Sequence, residues 1–428
     1  VDSTTEHPVA PAAPTLTRKE RRQAARPSHR RLRPRVLLVL ALVLVVVVAG
    51  LVLADRATRP TPPARATSAV TPVTVPGTAP ALPWPAEGQG AVAVPSIGFS
   101  AGSPGQTPVP VASMTKIMTG YVVLKDHPLT GAEPGPTLTM TPADVGFFDT
   151  DATSDQANLP VTAGQQISER LALQGMLVHS ANNLAEALAA WDAGSEAAFV
   201  AKMNAAAAAL GMTQTHFADA SGYLPASQST ANDILKVAAA AMQFPAFAQA
   251  VDMSSVDFPG VGRVQSYTPF VGVRGVVGVK SGYTSQAGGC DVLAARRTVA
   301  GHSVLVLAAS TGQTVDDLLD AGLVDLSLVG TVTGGLRPVT ALEAGSTVGH
   351  LSGGGHSVPV VAAAPVRLVA WPGQVVTRRL TPVGRRYPGA PSGTAVGTAE
   401  AVLGRTLVAV PARTAAPLPP LTLAQRLF

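Results

Sequence analysis

Three short stretches of this chain, Ser113-Met114-Thr115-Lys116, Ser180-Ala181-Asn182 and Lys280-Ser281-Gly282, hold the groups that serine acyl transfer needs when no histidine takes part. A serine hydroxyl is a poor nucleophile at neutral pH, so a base within hydrogen-bond reach must take its proton as it attacks a carbonyl. Residues three apart share a helix face, so a helix beginning near Ala112 brings the Ser113 hydroxyl and the Lys116 amine together. Lys116 is then the candidate base. An ordinary lysine, with a pKa of about 10.4, is neutral in roughly one molecule in 2,500 at pH 7, so a depression of about 3 units, some ~4 kcal/mol, is required. Burial supplies part of that, and a second cation nearby, such as Lys280, supplies more.

The other groups have matching tasks. A helix N-terminus aims backbone N–H groups at the place where a tetrahedral oxyanion forms. Ser180 suits relay of a proton to the leaving amine. Asn182 carries a donor and an acceptor on one amide, so it can orient a lysine and hold a peptide carbonyl. Lys280 and the Ser281 hydroxyl suit a substrate carboxylate, and Gly282 lets a substrate backbone approach the strand. Taken singly each stretch has a plainer reading: a helix N-cap before a solvated lysine, a loop capping the next helix, a strand end. With 6 lysines and 5 asparagines in 428 residues, the occurrence of all three in this order carries the catalytic reading.

These residues resemble the serine D-alanyl-D-alanine carboxypeptidases, the low-molecular-mass penicillin-binding proteins, and in particular their actinobacterial branch. The resemblance runs from about Gln89 to Leu328 and includes Pro110 to Thr119, Ser180 to Ala185, Phe217 to Gly222, Ser229 to Asp233 and Gly278 to Thr284. It implies that Ser113 is the acylated nucleophile, Lys116 the proton acceptor, Ser180 and Asn182 the second element of the site, and Lys280 with Ser281 the carboxylate recognition pair. It also implies an oxyanion hole from the backbone N–H groups of Ser113 and Tyr283. Ser281 departs from the threonine usual at that position, but the hydroxyl survives. The fold implied is α+β, a β-lactamase/DD-peptidase-like antiparallel sheet flanked by helices.

Local patterns agree with that architecture. Ala91 to Val94 is a short apolar run suited to a strand. Ile167 to Val178 and Asn183 to Trp191 have apolar residues at helical spacing and leave Ser180 at their junction. Glu196 to Leu210 and Ala231 to Met242 are further helices, the second capped by Ser229-Thr230 and stopped before Pro245. Val276 to Val279, Cys290 to Ala295 and Val304 to Leu307 read as strands, with Lys280 at the end of the first.

Val36 to Ala54 is 19 residues without charge or proline, long enough to span a bilayer, and nine Arg or Lys lie between Arg18 and Arg35. The positive-inside rule keeps that basic tail in the cytoplasm and sends the rest out. The run exceeds a signal-peptide core, which favours a retained single-pass anchor over cleavage at Ala54-Asp55 and secretion. The basicity belongs to the tail: residues 1–35 carry nine basic and three acidic side chains, net +6, against +5 for the whole chain. No nucleic-acid face is therefore expected. Residues 55–88 read as a Pro-rich linker, an extended spacer. Residues 89–328 read as the catalytic domain and 329–428 as a small β-rich C-terminal domain. Cys290 is the single cysteine, so no intrachain disulfide forms, and behind a strand it reads as a small buried residue. The histidines lack metal spacing, so neither metal nor cofactor is expected. His179 beside Ser180 invites a triad, but sequence neighbours seldom face each other.

The expectation is an exported, membrane-tethered serine DD-carboxypeptidase that removes the terminal D-alanine from peptidoglycan stem peptides ending in D-Ala-D-Ala and is acylated at Ser113 by β-lactams. The competing readings are a DD-endopeptidase on crosslinks, a β-lactamase and a non-catalytic wall or divisome scaffold. Class A β-lactamases use a glutamate-held water, and no Glu-x-x-Leu-Asn lies between Ser180 and Lys280. A relict site need keep none of Ser113, Lys116, Ser180, Asn182 and Lys280.

Overall fold

A five-stranded antiparallel sheet, buried on both faces, organises the chain. The structure is a computed structural model that describes residues 34–59, 64–153, 156–314, 318–384 and 387–427. The strand order is Val276–Thr284, Gly288–Val299, His302–Gln313, Gln89–Val94 and Phe99–Gly102, and every neighbouring pair is antiparallel. Successive side chains point to opposite faces. Cys290, Val292 and Ala294 therefore join one hydrophobic core, while Leu293 and Ala295 join another.

The helices, in chain order, are α1 (Pro34–Thr58), α2 (Thr115–Asp126), α3 (Pro142–Thr153), α4 (Glu169–Val178), α5 (Asn182–Ala193), α6 (Glu196–Ala209), α7 (Ala231–Ala241), α8 (Pro245–Val251), α9 (Leu318–Gly335) and α10 (Leu423–Leu427). Helix α2 is buried nearly all round, with Lys116 among its buried residues, as expected of a helix enclosed in a core. Side chains close several helix starts; among them, Ser168 accepts from Leu171 N, Ser195 from Ala198 N and Thr230 from Asp233 N. Helix α9 covers the other face of the sheet, where Leu328, Val329 and Val332 share the second core with the C-terminal strands.

Helices α1 and α10 fall in a unit of their own, apart from Pro63–Pro419. Helix α1 has 25 residues, buries none of them and is long and apolar enough to cross a membrane. Helix α9 also meets that length and composition, but its inner side packs in the second core, so it reads as a core helix. The basic tail, residues 1–33, lies outside the described residues.

Three sequence expectations need correction. Lys280 lies inside the strand Val276–Thr284 and does not end it, because the pairing continues through Ser281↔Asp291 to Thr284↔Gly288. The boundary drawn at 328/329 falls within α9, whose apolar stripe runs on to Val332. Part of the Pro-rich stretch is paired: Arg65–Ser68 and Val73–Thr74 form the first and last strands of the seven-stranded C-terminal sheet. Edge strands tolerate neighbouring prolines because the outward N–H needs no partner, which is why composition alone reads as a linker there.

One buried acid marks the helical side. Glu169, in the first turn of α4, is fully buried and neither carboxyl oxygen has a hydrogen-bond partner. Burial pushes this carboxyl up to about 7, with Asp192 adding to the rise and Arg170 opposing it. A carboxyl raised in this way contributes stability below its ordinary value and loses it as pH rises through about 7. Glu169→Gln should therefore raise the melting temperature at pH 8 and leave it unchanged at pH 4. Thermal unfolding by circular dichroism at the two pH values checks this, and an equal shift at both would contradict it.

Candidate active site

The nucleophile candidate sits on a tight turn. Ala112–Met114 form a 3-10 turn that runs into α2, and Ala112 has φ 47. Ser180, in the junction between α4 and α5, has φ 62. Left-handed backbone at a non-glycine residue is costly and tends to collect at working sites, where the surroundings hold it. Here it turns both serines toward one cleft of about 600 Å3, whose lining also includes Asn182, Ser281, Gly282 and Tyr283. Among the described residues, no charged side chain lines that cleft. Lys116 and Lys280, both fully buried, stand behind it.

Lys116 is held among hydrogen-bonding oxygens. Its Nζ lies 2.9 Å from Ser113 Oγ and 2.7 Å from the Ser221 carbonyl oxygen, and it also bonds Asn182 Oδ1. Asn182 Oδ1 and Ser221 O can only accept, so each takes an N–H from the amine, which lies within hydrogen-bond reach of the Ser113 hydroxyl as a general base must. Asn182 in turn donates through Nδ2 to Gln156 Oε1, which fixes which end of its amide meets the lysine.

The Ser221 carbonyl was not among the residues singled out from sequence, although its segment was noticed. Asp219 anchors the turn that presents it, accepting from Ser221 Oγ at 2.8 Å, from Tyr223 N at 2.7 Å and from Ser227 Oγ. Gly222, at φ +81, lies so close to the nucleophile turn that a Cβ would stand 1.9 Å from Ala112 O. The available signal was the Asp-x-Ser-Gly pattern, in which the acid ties the turn and the glycine permits the approach.

Lys280 Nζ donates to Ser281 O at 2.7 Å. Its ammonium is held well below the usual lysine range, first by burial and then by Lys116, with Asp291 opposing. Ser281 Oγ donates to Tyr267 O at 2.8 Å and borders the cleft. Gly282 lines the cleft and is also packed against the nucleophile turn. A Cβ there would meet Ser113 N at 2.6 Å and Ala112 Cβ at 3.0 Å, so its smallness accommodates the nucleophile turn itself. Tyr283, at the cleft mouth, is 43% exposed. His179 stacks on Tyr267 with centroids 4.7 Å apart, and its Nδ1 lies 3.2 Å from Gln265 O, so its partners are not the serines. Cys290 is fully buried, and burial pushes its thiol up to about 12. Among the described residues, no group of three His, Cys, Asp or Glu could hold a metal ion.

Comparison with known proteins places the chain. The family model for peptidase S11, D-alanyl-D-alanine carboxypeptidase, matches residues 103–311. The D-alanyl-D-alanine carboxypeptidase of Streptomyces sp. strain K15 is 32% identical over 202 residues, which cover 43% of this chain and 67% of that protein. The D-alanyl-D-alanine endopeptidase of Pseudomonas aeruginosa is 33% identical over 199 residues, so the chain spans 59% of that relative's length. Among solved structures, a peptidoglycan synthesis regulatory factor (PBP3) from Streptococcus pneumoniae superposes with a TM-score of 0.60 at 19% identity, over 78% of this chain and 99% of that one. The chain belongs to the D-alanyl-D-alanine carboxypeptidase family, peptidase S11. The Streptomyces and Pseudomonas proteins match it about equally, so the narrower resemblance to an actinobacterial branch is not singled out.

A methyl group at position 282 must displace either the strand or the turn carrying Ser113. Gly282→Ala should slow acylation by a fluorescent penicillin about 100-fold, since small misplacements of reacting groups cost that much. Stopped-flow labelling measures the rate, and a wild-type rate would show that this contact does not set the geometry.

Proposed function

We propose that this chain is a membrane-tethered serine DD-carboxypeptidase that removes the terminal D-alanine from peptidoglycan stem peptides ending in D-Ala-D-Ala. The observation that carries the reading is the buried amine of Lys116, 2.9 Å from Ser113 Oγ and also bonded to Asn182 Oδ1 and the Ser221 carbonyl. Ser113 Oγ attacks the carbonyl of the scissile D-Ala-D-Ala bond as its proton passes to Lys116. The backbone N–H groups of Ser113 and Tyr283 take the oxyanion. The proton then returns through Ser180 to the leaving amine, D-alanine departs, and water on the acyl-Ser113 ester completes the hydrolysis with Lys116 again as base. Ser281 and the charge of Lys280 behind it receive the substrate carboxylate. A β-lactam follows the same first step, because its strained amide presents the same carbonyl to Ser113.

Helix α1 tethers the enzyme as a single span, with the basic stretch before it in the cytoplasm and the catalytic part outside, where the polymer lies. A second reading, cleavage of crosslinks between stem peptides, is favoured by the likeness to the Pseudomonas relative, a D-alanyl-D-alanine endopeptidase. Both reactions would use the same acyl-Ser113 chemistry and differ in the group that leaves.

Incubation of the detergent-solubilised full chain with diacylated Lys-D-Ala-D-Ala and with a crosslinked muropeptide dimer separates the two. Free D-alanine from the tripeptide, lost in Ser113→Ala together with fluorescent-penicillin labelling, is the expected result. Asn182→Ala, which removes the Oδ1 acceptor that Lys116 bonds, should lower kcat about 100-fold, the size of a lost general-base interaction. Cleavage of the dimer alone would replace the carboxypeptidase reading with the endopeptidase one, and activity surviving in Ser113→Ala would remove both.

A further inference from the structure

A short piece of chain between α3 and α4 is fastened along the first residues of α5. Asn182 N donates to Ala157 O at 2.8 Å, and Asn182 Nδ2 donates to Gln156 Oε1. The next asparagine repeats the arrangement: Asn183 Oδ1 accepts from Leu159 N at 3.1 Å, and Asn183 Nδ2 donates to Leu159 O at 2.7 Å. Leu159 itself is buried in the helical core, so residues 156–159 are held against the helix that carries Asn182. Gln156 and Ala157 thereby join Ser113, Ser180 and Asn182 in the wall of the cleft.

The direction of the Gln156 amide is set by its neighbours. Lys116 bonds Asn182 Oδ1, which leaves Asn182 Nδ2 facing Gln156. A donor must meet an acceptor, so Gln156 presents Oε1 to it. Its Nε2, with two N–H groups, is then turned away from Asn182. Among the described residues no acceptor takes that nitrogen, although Gln156 is half-buried. An oriented polar group of this kind on a cleft wall is how a site fixes the orientation of what enters it.

We propose that Gln156 is a substrate-binding residue: its Nε2 and the remaining N–H of Asn182 Nδ2 together hold the carbonyl oxygen of the residue before the penultimate D-alanine, on the part of the stem peptide that stays on Ser113. This rests on the carboxypeptidase reading of the site. A carbonyl oxygen has two lone pairs, one for each amide. The two donors are neighbours, because Nε2 belongs to the same amide as the Oε1 that Asn182 already bonds. The carboxylate of the leaving D-alanine is assigned to Ser281 and Lys280 on the strand Val276–Thr284, so an acceptor that meets the 156–159 segment comes from the acyl side. Benzylpenicillin carries an amide carbonyl at the corresponding place in its side chain, and the same pair of amides would hold it.

The full chain in detergent is assayed on diacylated Lys-D-Ala-D-Ala and on the same tripeptide with sulfur in place of the lysyl carbonyl oxygen. Sulfur accepts a hydrogen bond poorly, so the ratio of kcat/KM for the oxygen substrate to that for the sulfur one reads the contact. Gln156→Met removes both ends of the amide at nearly constant size. Gln156→Glu keeps an acceptor for Asn182 Nδ2 and loses the donor, so the bond that holds the segment survives. In both variants the preference for oxygen should fall about fivefold, the size of one neutral hydrogen bond. An unchanged preference in either variant, even with slower turnover of both substrates, would show a merely structural glutamine and overturn the proposal. If the wild-type chain is acylated by penicillin but releases no D-alanine, the carboxypeptidase reading fails on its own. The preference is then read from acylation by benzylpenicillin against 6-aminopenicillanic acid, which lacks the side-chain carbonyl; it must fall about fivefold in both variants, and an unchanged ratio overturns the proposal there also. A wild-type chain inert to both probes removes the reading of the site and this inference together.

Discussion

A single buried amine held within hydrogen-bond reach of a serine hydroxyl is the constraint that the rest of the helical part serves. Oxygens around Lys116 Nζ come from separate pieces of chain: Ser113 from the turn before α2, Asn182 from the first turn of α5, and the Ser221 carbonyl from the turn tied by Asp219. None of these pieces is near another in sequence, so only a packed helical core can hold them to hydrogen-bond tolerance. The left-handed backbone at Ala112 and Ser180 is a cost of that arrangement, carried by the burial around it. Gly222 and Gly282 contribute from either side, each leaving room where a side chain would strike the nucleophile turn.

The sheet divides the interior into two cores. Lys280, paired with Val292, stands on the helical side, while Leu293, Ala295 and α9 belong to the second core, which runs on into the C-terminal strands. The region beyond the catalytic motifs therefore closes the far side of the sheet that carries Lys280.

Much of this was legible in the sequence, for identifiable reasons. The spacing within Ser113-Met114-Thr115-Lys116 and the order of the three stretches define a chemistry before any fold is known, and helices α4 to α7 announce themselves through periodicity and through the capping residues Ser168, Ser195 and Thr230. What escaped notice depends on contacts between distant segments. A backbone carbonyl such as that of Ser221 carries no residue-type signature. The purpose of Gly282 is visible only once Ser113 N lies beside it, and Lys280 looks like a strand end because Ser-Gly-Tyr-Thr is a poor strand sequence that pairing nonetheless extends. Asp291 and Asp325 carry no mark of their burial in the sequence, and both lie inside.

The strands drawn from the Pro-rich stretch bear on what a cut in that stretch would leave behind. Arg65–Ser68 and Val73–Thr74 seal opposite margins of the C-terminal sheet. A cut ahead of Arg65 would keep both margins covered. A cut beyond Thr74 would put both strands on the severed piece and bare two rows of backbone groups, the usual starting point for strand exchange and clumping.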